Sequence, residues 1–404
     1  SNIDGLCIRK EHEFEYTPPR ALISDLNQIP YPAYHLYEND IYFRYSSQPH
    51  SAESMNAKRR MAVVWERGCP RGCTFCSHNG MSRGDQQNIL GKGDKREGEK
   101  LIRIVDEKYD TFQLPARWPT PEYAVENVKF LHEKFGIDFL TIMDENMTSN
   151  AKWTEAFCSL YVKEGLDKKV KWGTLGDAPS VATKPHLVKL MKNAGCCYIS
   201  FGFESASDKV LNDDIKKGQT QAHLQKTIDT IKEAGLRPIT TFMIGNAHEN
   251  IDDLMETMMF WIKNGILIDP FICTPYVGSP IFYDNKDYIL EQYDERIKIL
   301  NTNPNCDKKL LAKLKLRALD KFMAECGNAT DYTATVSQYF TIPELFAIKR
   351  LMYKQDFVRL LRMAHQRYEQ TGLEQWNHSK KWSKYCNICK SREELLNTPQ
   401  IQTN

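Results

Sequence analysis

No run of 18 apolar residues occurs in the 404-residue chain, so nothing in it resembles a membrane-spanning helix. Charge of one sign is also lacking. Lys and Arg number 54 against 52 Asp and Glu, a formal net charge of +2, so no global field draws the protein to nucleic acid or an anionic membrane. Local basic clusters such as Lys380 to Lys384 fit a solvated surface. The sequence has no low-complexity tract, no solenoid repeat and no secretory signal at its present start. With twelve cysteines and no such signal, the composition fits a reducing compartment, where thiols serve metals and cores, and the expected location is cytoplasmic.

Three of those thiols stand together. Cys69, Cys73 and Cys76 lie in Glu-Arg-Gly-Cys-Pro-Arg-Gly-Cys-Thr-Phe-Cys, a C-x3-C-x2-C triplet just after the apolar run Met61 to Trp65. A zinc site takes four protein ligands, or three with water, and no His or Cys follows at zinc-finger distance; His78 is too near Cys76 to serve easily. Three thiolates on one short loop instead suit three irons of a cubane cluster, with the fourth iron open to a substrate or cofactor.

From about residue 60 to 282, short apolar runs alternate with helical patterns, the rhythm of βα units around a parallel sheet. Strands are predicted at 61–66, 138–144, 169–174, 197–203, 238–244 and 268–273, and helices at 121–135, 152–165, 184–194, 219–235 and 249–264. Helices 184–194 and 219–235 end in Ala-Gly, as expected of C-caps. Such folds collect ligands at the C-terminal ends of their strands, and the cysteine loop follows the first one. Beyond 283 the pattern turns mostly helical, at 286–301, 307–326 and 342–373.

The cysteine spacing, with an aromatic before the last Cys, resembles the signature of radical S-adenosylmethionine (SAM) enzymes. Asp144-Glu145-Asn146, Gly202-Phe203-Glu204-Ser205, Met243-Ile244-Gly245 with Glu249, and Thr274 to Pro280 follow in the order of the same superfamily, most closely its cobalamin-dependent branch. The resemblance covers more than half the chain. It implies an α/β fold, a partial (β/α)6 TIM-type barrel over 60–282, preceded by a connector over 1–59 and followed by a helical substrate-capping region over 283–404. The N-terminal cobalamin domain of that branch is expected to be absent from this chain: no D-x-H-x-x-G motif occurs, and residues 1–59 look like the connector alone.

The same resemblance implies a 4Fe-4S cluster on Cys69, Cys73 and Cys76 and a SAM molecule held by Phe75, Arg117, Glu145, Glu204, Ser205 and Gly245. Glu204 suits the ammonium or ribose of SAM, although a carboxylate there also suits a helix N-terminus; Gly245 admits a flat ring close to backbone, and Arg117 suits the carboxylate or the surface. Cobalamin would join if a further domain supplies it. The implied activity is reductive cleavage of SAM to a 5′-deoxyadenosyl radical, hydrogen abstraction from an unactivated carbon, and methyl transfer, cyclisation or carbon–carbon bond formation.

The expected partners are a small-molecule, lipid or peptide substrate and a low-potential flavodoxin or ferredoxin, with no nucleic acid. Two other functions compete: a radical SAM tRNA-modifying enzyme, and a non-catalytic iron–sulfur electron carrier or redox sensor. Cys386 and Cys389 form a separate C-x2-C pair and a candidate second metal site, with Cys306 and Cys326 upstream. The sequence also departs from family patterns. Some sixty residues separate Cys76 from the second strand, Asp177 stands near where many relatives carry an Arg, and the turn after strand five reads Gly-Asn-Ala-His-Glu.

Overall fold

The computed structural model describes residues 3–4, 6–9, 14–17, 23–45, 51–77, 116–267, 269–276, 279–285, 287–289, 291–292, 334–382 and 385. The loop expected over Gly80 to Lys100, most of the helix expected at 286–301, the helix expected at 307–326 and the cysteines Cys306, Cys326, Cys386 and Cys389 lie outside the described residues.

Two compact units are distinguished. The first comprises 1–72, 76–175 and 193–197; the second comprises 73–75, 176–192 and 198–404. In the first unit, β1 (Cys7–Arg9) and β2 (Phe14–Tyr16) form an antiparallel pair in a segment where the sequence gives few strand signals. Helices α1 (Asn39–Tyr45) and α2 (Ala52–Asn56) follow, and Ser51 and Ser54 close a capping box on α2.

Strand β3 (Arg60–Val63) then pairs in parallel with β4 (Phe139–Ile142), and β4 with β5 (Lys171–Gly176). Between β3 and β4 runs α3 (Pro121–Phe135), and between β4 and β5 runs α4 (Ala151–Lys163). The start and stop of α3 are both local. Thr120 accepts from the Tyr123 N–H, Pro121 takes the first turn where no intrahelical donor is needed, and Gly136 ends the helix at φ +67°. Its buried face is Ala124, Val125, Val128 and Leu131. The core of this unit is aromatic: Trp153 and Phe157 stack at 5.3 Å, and Phe157 meets Trp65 and Trp172 at 5.6 and 5.7 Å.

The second unit opens with α5 (Ala178–Thr183), which periodicity missed, and α6 (His186–Asn193). Strand β6 (Cys196–Glu204) pairs in parallel with β7 (Ile239–Ile244), and β7 with β8 (Phe271–Ile272). Helix α7 (Gln221–Glu233) joins β6 to β7, and α8 (Ile251–Asn264) joins β7 to β8. Asn250 and Asp253 form the capping box that starts α8, and Gly265 stops it at φ +65°. Strand β8 is shorter than the predicted 268–273 because Pro270 has no N–H to give a ladder. Phe203, Phe242 and Trp261 form edge-to-face pairs in the core, at 5.8 and 5.1 Å.

The six strands β3 to β8 follow one another in chain order, with helices between them. This is the α/β, (β/α)6 partial-barrel topology that the sequence pattern implies. A short helix α9 (Pro280–Asp284) follows β8. The periodic stretch 342–373, expected as one helix, is two: α10 (Ile342–Tyr353) and α11 (Phe357–Thr371). Gln355 takes φ +51° between them, and Asp356 starts α11 by accepting from the Arg359 N–H. A polar cap residue placed after a left-handed one outweighs continuous periodicity.

Candidate active site

The cysteine loop leaves β3 through Trp65 and Glu66, whose backbone is fastened from β4. The buried Asp144 Oδ1 accepts from both the Trp65 and Glu66 N–H groups, at 2.6 and 2.9 Å. In return Glu66 Oε2 accepts from the Asn146 N–H at 2.8 Å. A carboxylate from each loop thus satisfies the other's backbone donors, which a buried loop must do. Burial raises the Asp144 pKa to about 6 against these two hydrogen bonds. Gly68 makes the turn into the motif at φ +92°.

Cys69 sits in surroundings that suit a metal ligand. Burial raises its pKa to about 11, the Arg71 backbone hydrogen bond works the other way, and the negative fields of Glu66, Glu145 and Cys76 raise it further. A thiolate here needs a cation beside it, and a coordinating metal deprotonates its thiol outright. Glu145, expected as a cofactor ligand, is exposed and contributes one of these fields. Cys69, Cys73 and Cys76 are all outside disulfides. Among the described residues, no group of three or more His, Cys, Asp or Glu is placed to hold a single metal ion. Three thiolates are one ligand short of a closed structural zinc set and are the donor chemistry of a cubane with one open iron.

Arg117 forms an isolated bridge with Arg67, each N–H donating to the other's carbonyl at 2.9 Å, and its guanidinium donates to the Ile23 carbonyl.

In the second unit, Thr74 anchors the middle of the motif. Its N–H donates to the Ile215 carbonyl at 3.1 Å, its hydroxyl to the Asp214 carbonyl, and its own carbonyl accepts from the Ile281 N–H at 2.9 Å. Phe75, expected near an adenine, packs on the apolar cluster of Cys273, Ile281, Phe282, Ile289, Ala334 and Val336. Cys73 itself is 7% exposed.

At the end of β6 the ladder shifts register between Gly202 and Glu204, and Glu204 takes φ +64°. Its buried Oε1 pairs with Lys217 Nζ at 3.1 Å, and Lys217 also donates to the Gly202 carbonyl at 2.6 Å. A side chain on residue 202 would run into Glu204 Oε1 and come within 2.7 Å of Lys217 Nζ, so the tips of both side chains would have to shift. Ser205 turns inward: its hydroxyl lies 3.2 Å from that of Thr257 and accepts from the Ser207 N–H.

Gly245 has φ +83°, and its open side is filled by the Leu345 side chain 2.9 Å from where a Cβ would stand. The turn it begins is held by buried Glu249, whose Oε2 accepts from the Gly245 N–H at 2.7 Å, the Asn246 N–H at 3.2 Å and Asn246 Nδ2 at 3.3 Å. His248 of the same turn bonds through Nδ1 to buried Asp214 at 2.6 Å. Sequence reasoning missed Thr74, Lys217 and the Asp214–His248 pair. Only the Lys216-Lys217-Gly218 run hinted at Lys217.

The first unit also contains an apolar cavity of about 470 Å³, lined by Tyr31, Tyr34, Phe43, Val63, Trp65 and Tyr123 among others. Its walls are aromatic and aliphatic rather than nucleophilic, so the chemistry-bearing groups remain those of the cysteine loop.

Residues 63–260 match the model of the radical SAM superfamily, and this part of the chain belongs to that superfamily. It is a radical SAM domain. The chain is 28% identical over 279 residues to an uncharacterized methyltransferase of Pyrococcus horikoshii, covering 69% of this chain and 51% of that one. It is 28% identical over 224 residues to the anaerobic magnesium-protoporphyrin IX monomethyl ester cyclase of Cereibacter sphaeroides, covering 55% and 31%. Among solved structures, the cobalamin-dependent SAM radical enzyme OxsB matches with a TM-score of 0.48 at 12% identity, covering 95% of this chain and 63% of that one. The chain thus spans about half, or less, of the length of these curated relatives.

Proposed function

We propose that this chain is the catalytic core of a radical SAM enzyme that modifies an unactivated carbon, by methyl transfer or by ring closure. The observation that carries the proposal is the C-x3-C-x2-C triplet directly after the first strand of a (β/α)6 parallel sheet, with its three thiols outside disulfides. When bound on Cys69, Cys73 and Cys76, a 4Fe-4S cluster would supply the electron that cleaves SAM reductively and frees the 5′-deoxyadenosyl radical for hydrogen abstraction.

The protein's own task is to position and to exclude water. Asp144 and Glu66 fix the entry to the loop, and Thr74 pins its centre by two donated hydrogen bonds and one accepted. Phe75 closes the apolar side. Glu204 and Ser205 stand at the C-terminal end of β6, where a ligand of this sheet would bind. The methyltransferase and the cyclase among the relatives support the two outcomes named, and the electron would come from a low-potential flavodoxin or ferredoxin. A small-molecule, lipid or peptide substrate and a cytoplasmic setting complete the reading; among the described residues no helix is long and apolar enough to cross a membrane.

The test is anaerobic reconstitution with iron and sulfide, reduction by dithionite, addition of SAM, and chromatography for 5′-deoxyadenosine, with Cys73→Ala as control. Product formed by the wild type and lost in the variant is expected. A full cluster without any SAM-dependent change in its spectrum would replace this proposal with an electron carrier.

A further inference from the structure

We infer that Lys217 is a positioning residue for the cluster: its buried ammonium, held beside Cys73, sets the cluster's reduction potential, with Glu204 as its opposing charge. This rests on the reading that the three cysteines hold a cluster. Four observations within the second unit carry it.

The first is placement through backbone. Thr74, next to Cys73, is bound to the carbonyls of Asp214 and Ile215, and Lys217 follows two residues later, after Lys216 at φ +52° ends the π-helical turn Leu211–Ile215. The second is burial: the Lys217 side chain is 11% exposed and that of Glu204 is 9%, so their charges are poorly screened. The third is that the ammonium acts electrostatically on Cys73 as well as on Glu204. The fourth is cost. Glu204 keeps a left-handed backbone where this ion pair forms, and the missing side chain of Gly202 leaves the pair its room. Structure is strained around a buried pair that a better-packed apolar pair would replace without loss of stability.

Cluster potentials follow net charge, hydrogen bonding to sulfur and solvent exposure. Reduction adds one negative charge, so a fixed cation near a ligating sulfur favours the reduced state and a fixed anion opposes it. Lys217 and Glu204 should therefore act with opposite signs, which a merely structural role would not produce.

The experiment is an anaerobic potentiometric titration, monitored by electron paramagnetic resonance, of the full-length reconstituted wild type, Lys217→Met, Lys217→Arg and Glu204→Gln. Iron and sulfide content is measured in each. Lys217→Met should become harder to reduce, its ratio of reduced to oxidised cluster at fixed potential falling at least tenfold, about 59 mV for a one-electron couple. Glu204→Gln should move the opposite way, and Lys217→Arg should stay near wild type. Equal midpoints in all four, or shifts of one sign in Lys217→Met and Glu204→Gln, would overturn the inference while leaving the proposed function intact. If Lys217→Met holds no cluster, Glu204→Gln decides: a midpoint at or below wild type refutes the charge effect. A wild type that assembles no cubane would refute the proposed function itself.

Discussion

Glu249 offers a quantitative test of how the turn after β7 is built. Its carboxyl is fully buried, and one oxygen takes all three hydrogen bonds from Gly245 and Asn246. The other oxygen is buried with no hydrogen-bond partner. Burial is the largest influence and raises the pKa from the ordinary 4.5 to about 8, the nearby Asp253 adding to it and the Asn246 and Gly245 donors opposing. In the unfolded chain the same group releases its proton near its ordinary value. Between these two pH values the folded state holds a proton that the unfolded state has lost, so the contribution of Glu249 to stability is greatest below 4.5 and falls as pH rises towards 8. At about 1.36 kcal/mol per pH unit, the full window is worth about 5 kcal/mol.

The perturbation is Glu249→Gln, which keeps an acceptor for the turn and removes the titration. Urea unfolding of the full chain, without cluster and under reductant, would be followed by tryptophan fluorescence at several pH values from 4.5 to 8. The variant should gain on the wild type by up to about 5 kcal/mol across that range. Parallel stability curves would refute the reasoning, because Glu249 would then titrate alike in both states. A variant that lost ground as pH rose would show that its carboxylate is stabilised in the fold, opposite to the effect of burial.

Two further substitutions test the loops around the motif. Gly202→Ala should split the Glu204–Lys217 pair and cost about 1–3 kcal/mol as an overpacked site, measured by urea unfolding; an unchanged midpoint would mean that the pair can shift at no expense. Asp144→Ala strands the Trp65 and Glu66 N–H groups, at about 1–3 kcal/mol for each buried donor, and Asp144→Asn should recover at least half of the loss by keeping an acceptor.

The alternation of apolar runs made the sheet legible from sequence. Strand 238–244 was expected and Ile239–Ile244 is found; helix 121–135 is Pro121–Phe135, because Thr120, Pro121 and Gly136 mark its ends chemically. What could not be read were features set by distant partners. Thr74 has no motif of its own, and its role appears only when the fold brings it to the carbonyls of residues 214 and 215. Lys217 looks like one of many surface lysines until β6 places Glu204 opposite it. Ser205 and Gly245 stand in family-like motifs of the sequence, but their neighbours Thr257 and Leu345 could not be read from it. Backbone partners and packing neighbours leave no periodic trace.

The strain at Glu204 bears on what the site is for. A non-glycine residue at φ +64° costs on the order of 1–3 kcal/mol and persists only where its surroundings fix it. Here they do so several times over: Lys217 holds the carboxylate and the Gly202 carbonyl, and Gln219 Nε2 donates to the Phe203 carbonyl at 2.7 Å. Glycine at 204 would adopt the same backbone without penalty. It would also leave the Lys217 ammonium buried with no carboxylate, which costs more than the strain it relieves. The carboxylate and the ammonium therefore depend on each other, and the strained backbone accompanies the buried pair they form. A fold that needed only stability at this strand end would do better with neither charge.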